Sequence, residues 1–367
     1  MSIERVREIS RQQQDEGSLL ILDLECVRRQ IRRFKECLPK VRLHYAMKAN
    51  PHPMVLQCVA QEDGAFDIAS AGELRALKAI GVDGARMVFS NPIKSPSAIR
   101  EAWAHGVHWF VVDSAEEMMK CHALVPQASQ YLRIDVPNEG SAYPLTGKFG
   151  ARMDEAEALI ELAAQQQVGL RGISFHVGSQ CYQPDNWVQG IGLAGRLFER
   201  MQQKGLAPEV LNIGGGFPVQ MAEGCASLEE IAQTIHPALG ALPKNIAVWA
   251  EPGRFVVGEA GWLVCRVIGT AQRGEHAWMY WDTGLFGGLM ETYAGLRYPM
   301  WTDKSGPLTD WVVAGPTCDT KDVTLPNALL PKDMAVGDRI YLGSAGAYTQ
   351  TYATEFNGFP LPRVIAL

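Results

Sequence analysis

Paired cysteines, paired histidines and membrane-length apolar runs are missing from this sequence, and each absence removes a class of protein. The eight cysteines are scattered singly with no C-x-x-C pair, so neither a disulfide framework nor a metal site is indicated. They read as reduced thiols, mostly buried. No apolar stretch reaches the length that crosses a bilayer, and the first twenty residues, with Glu4, Arg5, Arg7, Glu8 and Arg11, lack the apolar core of a secretory signal. A cytoplasmic chain with no membrane partner is expected. Charge of one sign is lacking as well: the formal net charge is −6 with acidic and basic residues interspersed, which argues against an electrostatic nucleic-acid binder.

What the chain does have is length and rhythm. Its 367 residues bury ample surface and accommodate a barrel plus a second domain. Eight short apolar runs rich in β-branched and aromatic residues, at 42–47, 65–68, 87–90, 109–112, 131–135, 172–176, 210–213 and 246–250, are expected strands. Between them lie Ala- and Leu-rich segments with helical spacing, such as 153–166 and 187–204, and Ser70 with Glu73 and Ser114 with Glu117 have capping-box spacing. Repeated strand-then-helix units predict an α/β chain folded as a (β/α)8 TIM barrel. After Arg254 the rhythm changes, and 261–271, 277–281, 311–313 and 339–342 read as strands without long helices between them. The expected domains are a barrel over 24–257 and a β domain from 1–23 and 258–367, the N-terminal segment adding a strand.

In a TIM barrel the chemistry sits where strands end. Lys48 follows the first expected strand, Asp67 lies near the end of the second, Arg133 lies on the fifth, and His176 and Ser179 end the sixth. Gly214, Gly215 and Gly216 follow the seventh, and Glu251, Gly253 and Arg254 follow the eighth. Alone, a lysine at a strand end has its ammonium in water, three glycines mark a tight turn, and a single histidine fits in a core. Their convergence on one barrel face carries the functional reading.

A phosphate-bearing cofactor accounts for most of the set. Backbone N–H groups of the glycine triplet can approach phosphate oxygens because no Cβ intervenes, and Arg254 offers a planar charged fork. Lys48 could form a Schiff base with an aldehyde in a partly desolvated site. Pyridoxal phosphate has both groups, and its ring nitrogen needs an acid beside it, a role open to Glu251, with His176 on the ring face.

The ordered motifs "YAMKAN" (45–50), "FDIASAGEL" (66–74), "FHVGSQ" (175–180), "NIGGGFP" (212–218), "AEPGR" (250–254), "GPTCDTKD" (315–322), "GAYT" (346–349) and "FNGF" (356–359) cover nearly the whole chain. In them the sequence resembles the fold-type III pyridoxal-phosphate decarboxylases, which act on ornithine, lysine, diaminopimelate or arginine. The resemblance implies an alanine racemase-like architecture, a barrel with a C-terminal β-sandwich or β-barrel domain. Lys48 then looks like the lysine that bonds the cofactor aldehyde, His176 like the ring-stacking residue and Glu251 like the partner of the ring nitrogen. Ser179, Gly215, Gly216, Arg254 and Tyr348 look like the phosphate shell, Gly214 and Gly253 like further cofactor-binding residues, and Asp67 and Arg133 like supports.

The resemblance also implies a homodimer with shared active sites, in which Cys318 and Asp319 reach the other subunit's pocket. Cys318 is the candidate for returning a proton to the α-carbon. Asp319 and Asp282 are candidate receptors for a distal ammonium, with Tyr348 and Phe356 lining the substrate and the loop 138–150 as another wall. Asp after the cysteine, where diaminopimelate enzymes carry Glu, points to a basic amino acid, with L-ornithine to putrescine as the leading reaction. Lysine, diaminopimelate and a modified diamino acid of a specialised pathway remain open, as do, further off, a racemase and a catalytically inactive polyamine-regulatory binding protein. Two features depart from the family pattern: an extra residue in "WDTGLFGGLMET" and Lys321 two positions after Asp319.

Overall fold

The structure is a computed structural model and describes residues 1–13, 17–145, 147–221 and 225–367. The runs read as strands form one closed parallel barrel: Val41–Ala46, Ala65–Ile68, Met87–Phe89, Trp109–Val112, Ser129–Arg133, Leu170–Ser174, Val210–Asn212 and Ala247–Ala250. The last closes on the first with Ala250 opposite Leu43. Parallel strands covered on both faces are apolar along their whole length, which is why these runs stand out in the sequence. Barrel side chains include Val88, Val210 and Trp249, with Trp109 packed edge-on against Trp249 at 5.0 Å and His44 4.8 Å from the same indole.

Helices Pro53–Gln61, Ala71–Ala79, Pro96–Ala104, Ala115–Leu124, Met153–Gln165, Asp185–Gln203 and Leu228–Gly240 separate the strands. Both expected capping boxes are half formed. The Ser70 and Ser114 hydroxyls accept the Glu73 and Glu117 N–H groups, but the glutamates do not return the bond. Glu73 accepts from Ala69 N instead, and Glu117 is drawn to buried Lys94 at 3.0 Å and to Lys120. A full box forms at Ser227 and Glu230, which the sequence reading passed over.

The second unit is built on an eight-stranded sheet. Its long strand Gly261–Arg273 pairs with His276–Trp281, Arg339–Leu342 and Leu19–Leu22, and the last of these lies parallel to Arg363–Ala366. Val6 and Ile9 of helix Ile3–Gln12 pack with Leu19, Ile21, Trp262, Val264 and Tyr341 in its core. Strand Val323–Pro331, which contains Pro326 and ends at Pro331, was not anticipated. The sheet tolerates Pro326 by placing it in an irregularity, between the pairs Val313 with Leu325 and Trp311 with Ala328.

The compact units are Met1–Val27 with Val219–Glu223 and Val256–Leu367, and Arg28–Pro218 with Gly224–Phe255. Among the described residues no helix is long and apolar enough to cross a membrane.

Candidate active site

Lys48 sits in a single 3-10 turn, Met47–Ala49, that caps the first barrel strand. Buried Tyr45 holds this turn by donating its hydroxyl to Asn50 O at 3.0 Å, so the lysine is presented at the mouth from a fixed base. Its side chain is half exposed and its Nζ lies 3.4 Å from Asp67 Oδ2. Asp67 is buried at the end of the second strand, and its Oδ1 has no hydrogen-bond partner among the described residues. Such an oxygen is costly unless a ligand group or water meets it.

Glu251, after the eighth strand, is held by two side-chain donors. Its Oε1 accepts from Ser90 Oγ and from Asn212 Nδ2, each at 2.6 Å. Ser90 in turn lies 2.6 Å from the Tyr131 hydroxyl. Asn212 accepts the Gly214 N–H at 3.0 Å, which ties Glu251 to the glycine turn. Burial first, then the charge of Asp67, pushes the Glu251 carboxyl up, while Lys48 and the two donors pull the other way. A carboxyl so placed takes full negative charge most readily when a cation arrives beside it. A protonated pyridine nitrogen is such a cation.

His176 lies two residues beyond the sixth strand. Its Nδ1 accepts the Gly178 N–H at 3.0 Å, so a neutral ring carries its proton on Nε2. Burial, with the charges of Arg133 and Lys48, holds its pKa well below the ordinary histidine value, which makes it an uncharged flat ring. Gly215 is glycine for a steric reason: a Cβ there would stand 2.7 Å from Glu251 O and 3.1 Å from His176 Nε2. Gly216 follows at φ +94°, which L side chains rarely adopt. Among the described residues neither the Gly215 nor the Gly216 N–H has an acceptor. Gly253 occupies the turn leading to Arg254, whose Nη2 donates to Ser179 Oγ at 3.3 Å. Arg133, on the fifth strand, has its guanidinium 5.7 Å from the Phe149 ring. The loop carrying Phe149 is anchored through Ser141–Tyr143, which pairs with Ser179–Cys181; Thr146 in that loop lies outside the described residues.

The barrel unit therefore brings together Lys48, Asp67, Arg133, His176, Ser179, Gly214, Gly215, Gly216, Glu251, Gly253 and Arg254. The pocket's donors and its orphaned carboxylate oxygen fit pyridoxal phosphate: two glycine N–H groups, a hydroxyl and a guanidinium for the phosphate, a carboxylate for the ring nitrogen and an amine for the aldehyde. Ser90, Asn212 and Tyr131 complete the set and were not anticipated. Asn212 stood inside the quoted "NIGGGFP" without a role, and Ser90 ended a run read only as a strand. Glu73 also belongs near Lys48: burial pushes its carboxyl up to about 7, with Asp67 adding to the rise and Lys48 opposing it.

The other predicted residues lie in the β unit. Cys318 is exposed, and its N–H and Sγ lie 3.1 and 3.2 Å from Asn357 Oδ1. Asp319 Oδ1 accepts the Lys321 N–H at 2.8 Å, closing an Asx turn around the lysine that departs from the family pattern. Buried Asp322 clasps two loops by accepting from Leu285 N at 2.7 Å and from the Thr317 hydroxyl at 2.7 Å. Asp282 Oδ1 accepts from Arg266 N at 3.0 Å, while its buried Oδ2 has no partner among the described residues. Asp282 and Asp319 thus share no partner. Phe356 packs on Phe286 at 4.5 Å, and Tyr348 is held at φ +65°.

Comparison with known proteins agrees with this geometry. The family model described as "Pyridoxal-dependent decarboxylase, pyridoxal binding domain" matches residues 24–258. The lysine/ornithine decarboxylase of Selenomonas ruminantium is 36% identical over 94% of this chain and 88% of that protein. The ornithine decarboxylase of Schizosaccharomyces pombe is 33% identical over 96% of this chain and 84% of its own. A crystal structure of lysine/ornithine decarboxylase complexed with cadaverine from Vibrio vulnificus superposes with a TM-score of 0.92 at 36% identity, covering 100% of this chain and 99% of that one. The chain belongs to the pyridoxal-dependent decarboxylase family and is a pyridoxal-phosphate-dependent amino-acid decarboxylase.

Proposed function

We propose that this decarboxylase acts on a basic amino acid, L-ornithine first, releasing carbon dioxide and putrescine. The observation that carries the reading is the interlocked set around Glu251, Asp67 and Lys48, joined to an aspartate directly after Cys318. Lysine is the second reading, favoured because relatives of high similarity are named lysine/ornithine decarboxylase.

When bound, pyridoxal phosphate supplies an aldehyde for the substrate amine and a ring that accepts the electron pair left by departing carbon dioxide. The chain's own residues do the rest. Lys48 Nζ would hold the cofactor through its aldehyde, and Asp67 Oδ2 would keep the ammonium in place whenever the lysine is free. Glu251, steadied by Ser90 and Asn212, keeps a proton on the ring nitrogen. The neutral His176 ring covers one face of the pocket without adding positive charge of its own. Arg254, Ser179 and the Gly215 and Gly216 N–H groups anchor the phosphate, with Tyr348 as a further member; its left-handed backbone is a strained state that supports a fixed task. Asp319 and Asp282 receive the distal ammonium, Phe356 lines its path, and Cys318 Sγ returns the proton to the α-carbon.

In this proposal the domains are a barrel over 24–257 and a β domain from 1–23 and 258–367. The enzyme is a cytoplasmic homodimer whose β domain contributes Cys318 and Asp319 to its partner's pocket. Carbon dioxide release from a panel of ornithine, lysine, arginine, diaminopimelate and diaminobutyrate tests the substrate, ornithine being the expected best. Release from none of them counts against the basic-substrate reading. Mixing Lys48→Ala with Cys318→Ala protein tests the sharing of sites. Random subunit exchange restores about a quarter of wild-type activity if each site draws on both chains, and none if it does not.

A further inference from the structure

We infer that Asn357 is the positioning residue for the proton donor Cys318, an assignment that rests on the decarboxylase reading above. Asn357 Oδ1 stands 3.1 Å from Cys318 N and 3.2 Å from Cys318 Sγ. The first contact fixes the meaning of the second. A main-chain N–H can only donate, so the amide atom facing it is the oxygen and the amide cannot be flipped. That oxygen has no proton to give, so the sulfur is the donor, and the thiol keeps its hydrogen in this contact.

One acceptor thus binds both ends of the cysteine, its backbone and its side chain. This selects a single χ1 for a side chain that is otherwise exposed. Asn357 reaches this place from φ +55°, ψ 16° within the short turn Phe356–Gly358. Asparagine is among the few side-chain-bearing residues that enter this left-handed region readily. The sequence therefore combines a backbone state and an acceptor in one residue, directly beside Phe356.

The step served is a proton transfer. The Sγ–H bond breaks, a Cα–H bond forms with the electron pair left behind by carbon dioxide, and the sulfur keeps the S–H pair as a thiolate. Water then returns a proton to the sulfur. A thiol held in one rotamer delivers the proton to the α-carbon rather than letting solvent protonate elsewhere; a proton misplaced on the cofactor's aldehyde carbon leaves a C=N bond to the product carbon, and water cleaves it to aminated cofactor and an aldehyde product.

Two variants separate backbone from acceptor. Asn357→Gly keeps the left-handed backbone and removes the oxygen, whereas Asn357→Asp keeps both. In holoenzyme treated with iodoacetamide and read at the Cys318 peptide by mass spectrometry, Asn357→Gly is expected to alkylate about fivefold faster than wild type, the scale of one lost hydrogen bond. Asn357→Asp is expected to alkylate no faster than wild type. The number of aminated cofactors formed per carbon dioxide released should rise about tenfold in Asn357→Gly and stay at the wild-type level in Asn357→Asp. A merely structural role lowers the yield of folded protein without moving this ratio. Unchanged Cys318 alkylation in Asn357→Gly overturns the assignment. So does an unchanged ratio. If wild-type protein releases no carbon dioxide from any basic amino acid, the proposed substrate class falls, and the alkylation arm alone still decides whether Asn357 holds the thiol.

Discussion

The barrel unit and the β unit hold their candidate site residues in opposite ways. In the barrel, Glu251 is reached by two donors at 2.6 Å, one of them tied to the glycine turn and the other to Tyr131, and both donors sit at strand ends. In the β unit, Cys318, Asp319 and Lys321 lie on one largely exposed turn, closed by Asp319 Oδ1 on the Lys321 N–H and pinned from outside by Asn357 Oδ1. The cofactor is the same whatever the substrate, so rigid, mutually dependent placement costs no adaptability there. A turn braced from behind by Asp322 can change its tip without disturbing the brace. In the proposed reading, chemistry and selectivity are thus written into parts of the chain with different tolerance to substitution.

The sharpest break in that comparison comes from the barrel. Lys48→Ala is expected to lower kcat by about 10⁴-fold and to abolish the long-wavelength absorbance of the bound cofactor; a spectrum that survives the substitution contradicts the role of Lys48. Glu251→Gln keeps the shape and removes the charge, and should cost about 10²- to 10³-fold in kcat while the cofactor remains bound. Stopped-flow decarboxylation beside an equilibrium titration of cofactor separates the two effects. Equal losses in cofactor affinity and in kcat would place Glu251 in binding rather than in catalysis.

Legibility follows the same division. Strands buried on both faces announce themselves, so each barrel run could be placed to within a few residues, and the strand-end rule then nominated Lys48, Asp67, His176 and Glu251. Ser90 and Asn212 were harder because their role exists only through Glu251, some 161 and 39 positions away in the chain. A serine and an asparagine carry no periodic signal. Asn357 was opaque for a related reason: its meaning lies in a contact with Cys318, 39 positions earlier. Local rules misled where a stronger partner competed, as when buried Lys94 took the Glu117 carboxylate from its helix cap.

In the β unit effects should be smaller and selective. In the proposed reading Asp319→Ala removes one charged receptor, so kcat/KM for ornithine should fall about 10- to 100-fold while that for norvaline, which has no distal ammonium, stays near wild type. Steady-state kinetics with the two substrates measure this directly. Parallel losses on both would show that the Asx turn matters for the position of Cys318 rather than for the amine.

The smallest expected effect concerns stability and carries a pH signature. Burial raises the Asp282 carboxyl from 3.8 to about 6, with Arg266 N–H only partly opposing the rise. The folded state therefore favours the protonated acid. Its contribution to stability is fully present below the unfolded value and is lost as pH rises through about 6. The substitution Asp282→Asn leaves no charge to desolvate and keeps the acceptor for Arg266 N, although the new amide NH2 would meet the partnerless space now facing Oδ2. These terms oppose each other, leaving a net gain of about 1 kcal/mol above pH 6 and none near pH 4. Thermal melts across pH 4 to 7 should show the variant's Tm pulling ahead by about 1 °C and then levelling. If the wild-type protein instead gains on the variant as pH rises, Asp282 is held as a carboxylate by a positive partner. The exposed turn would then not be the only part of the β unit organised around charge.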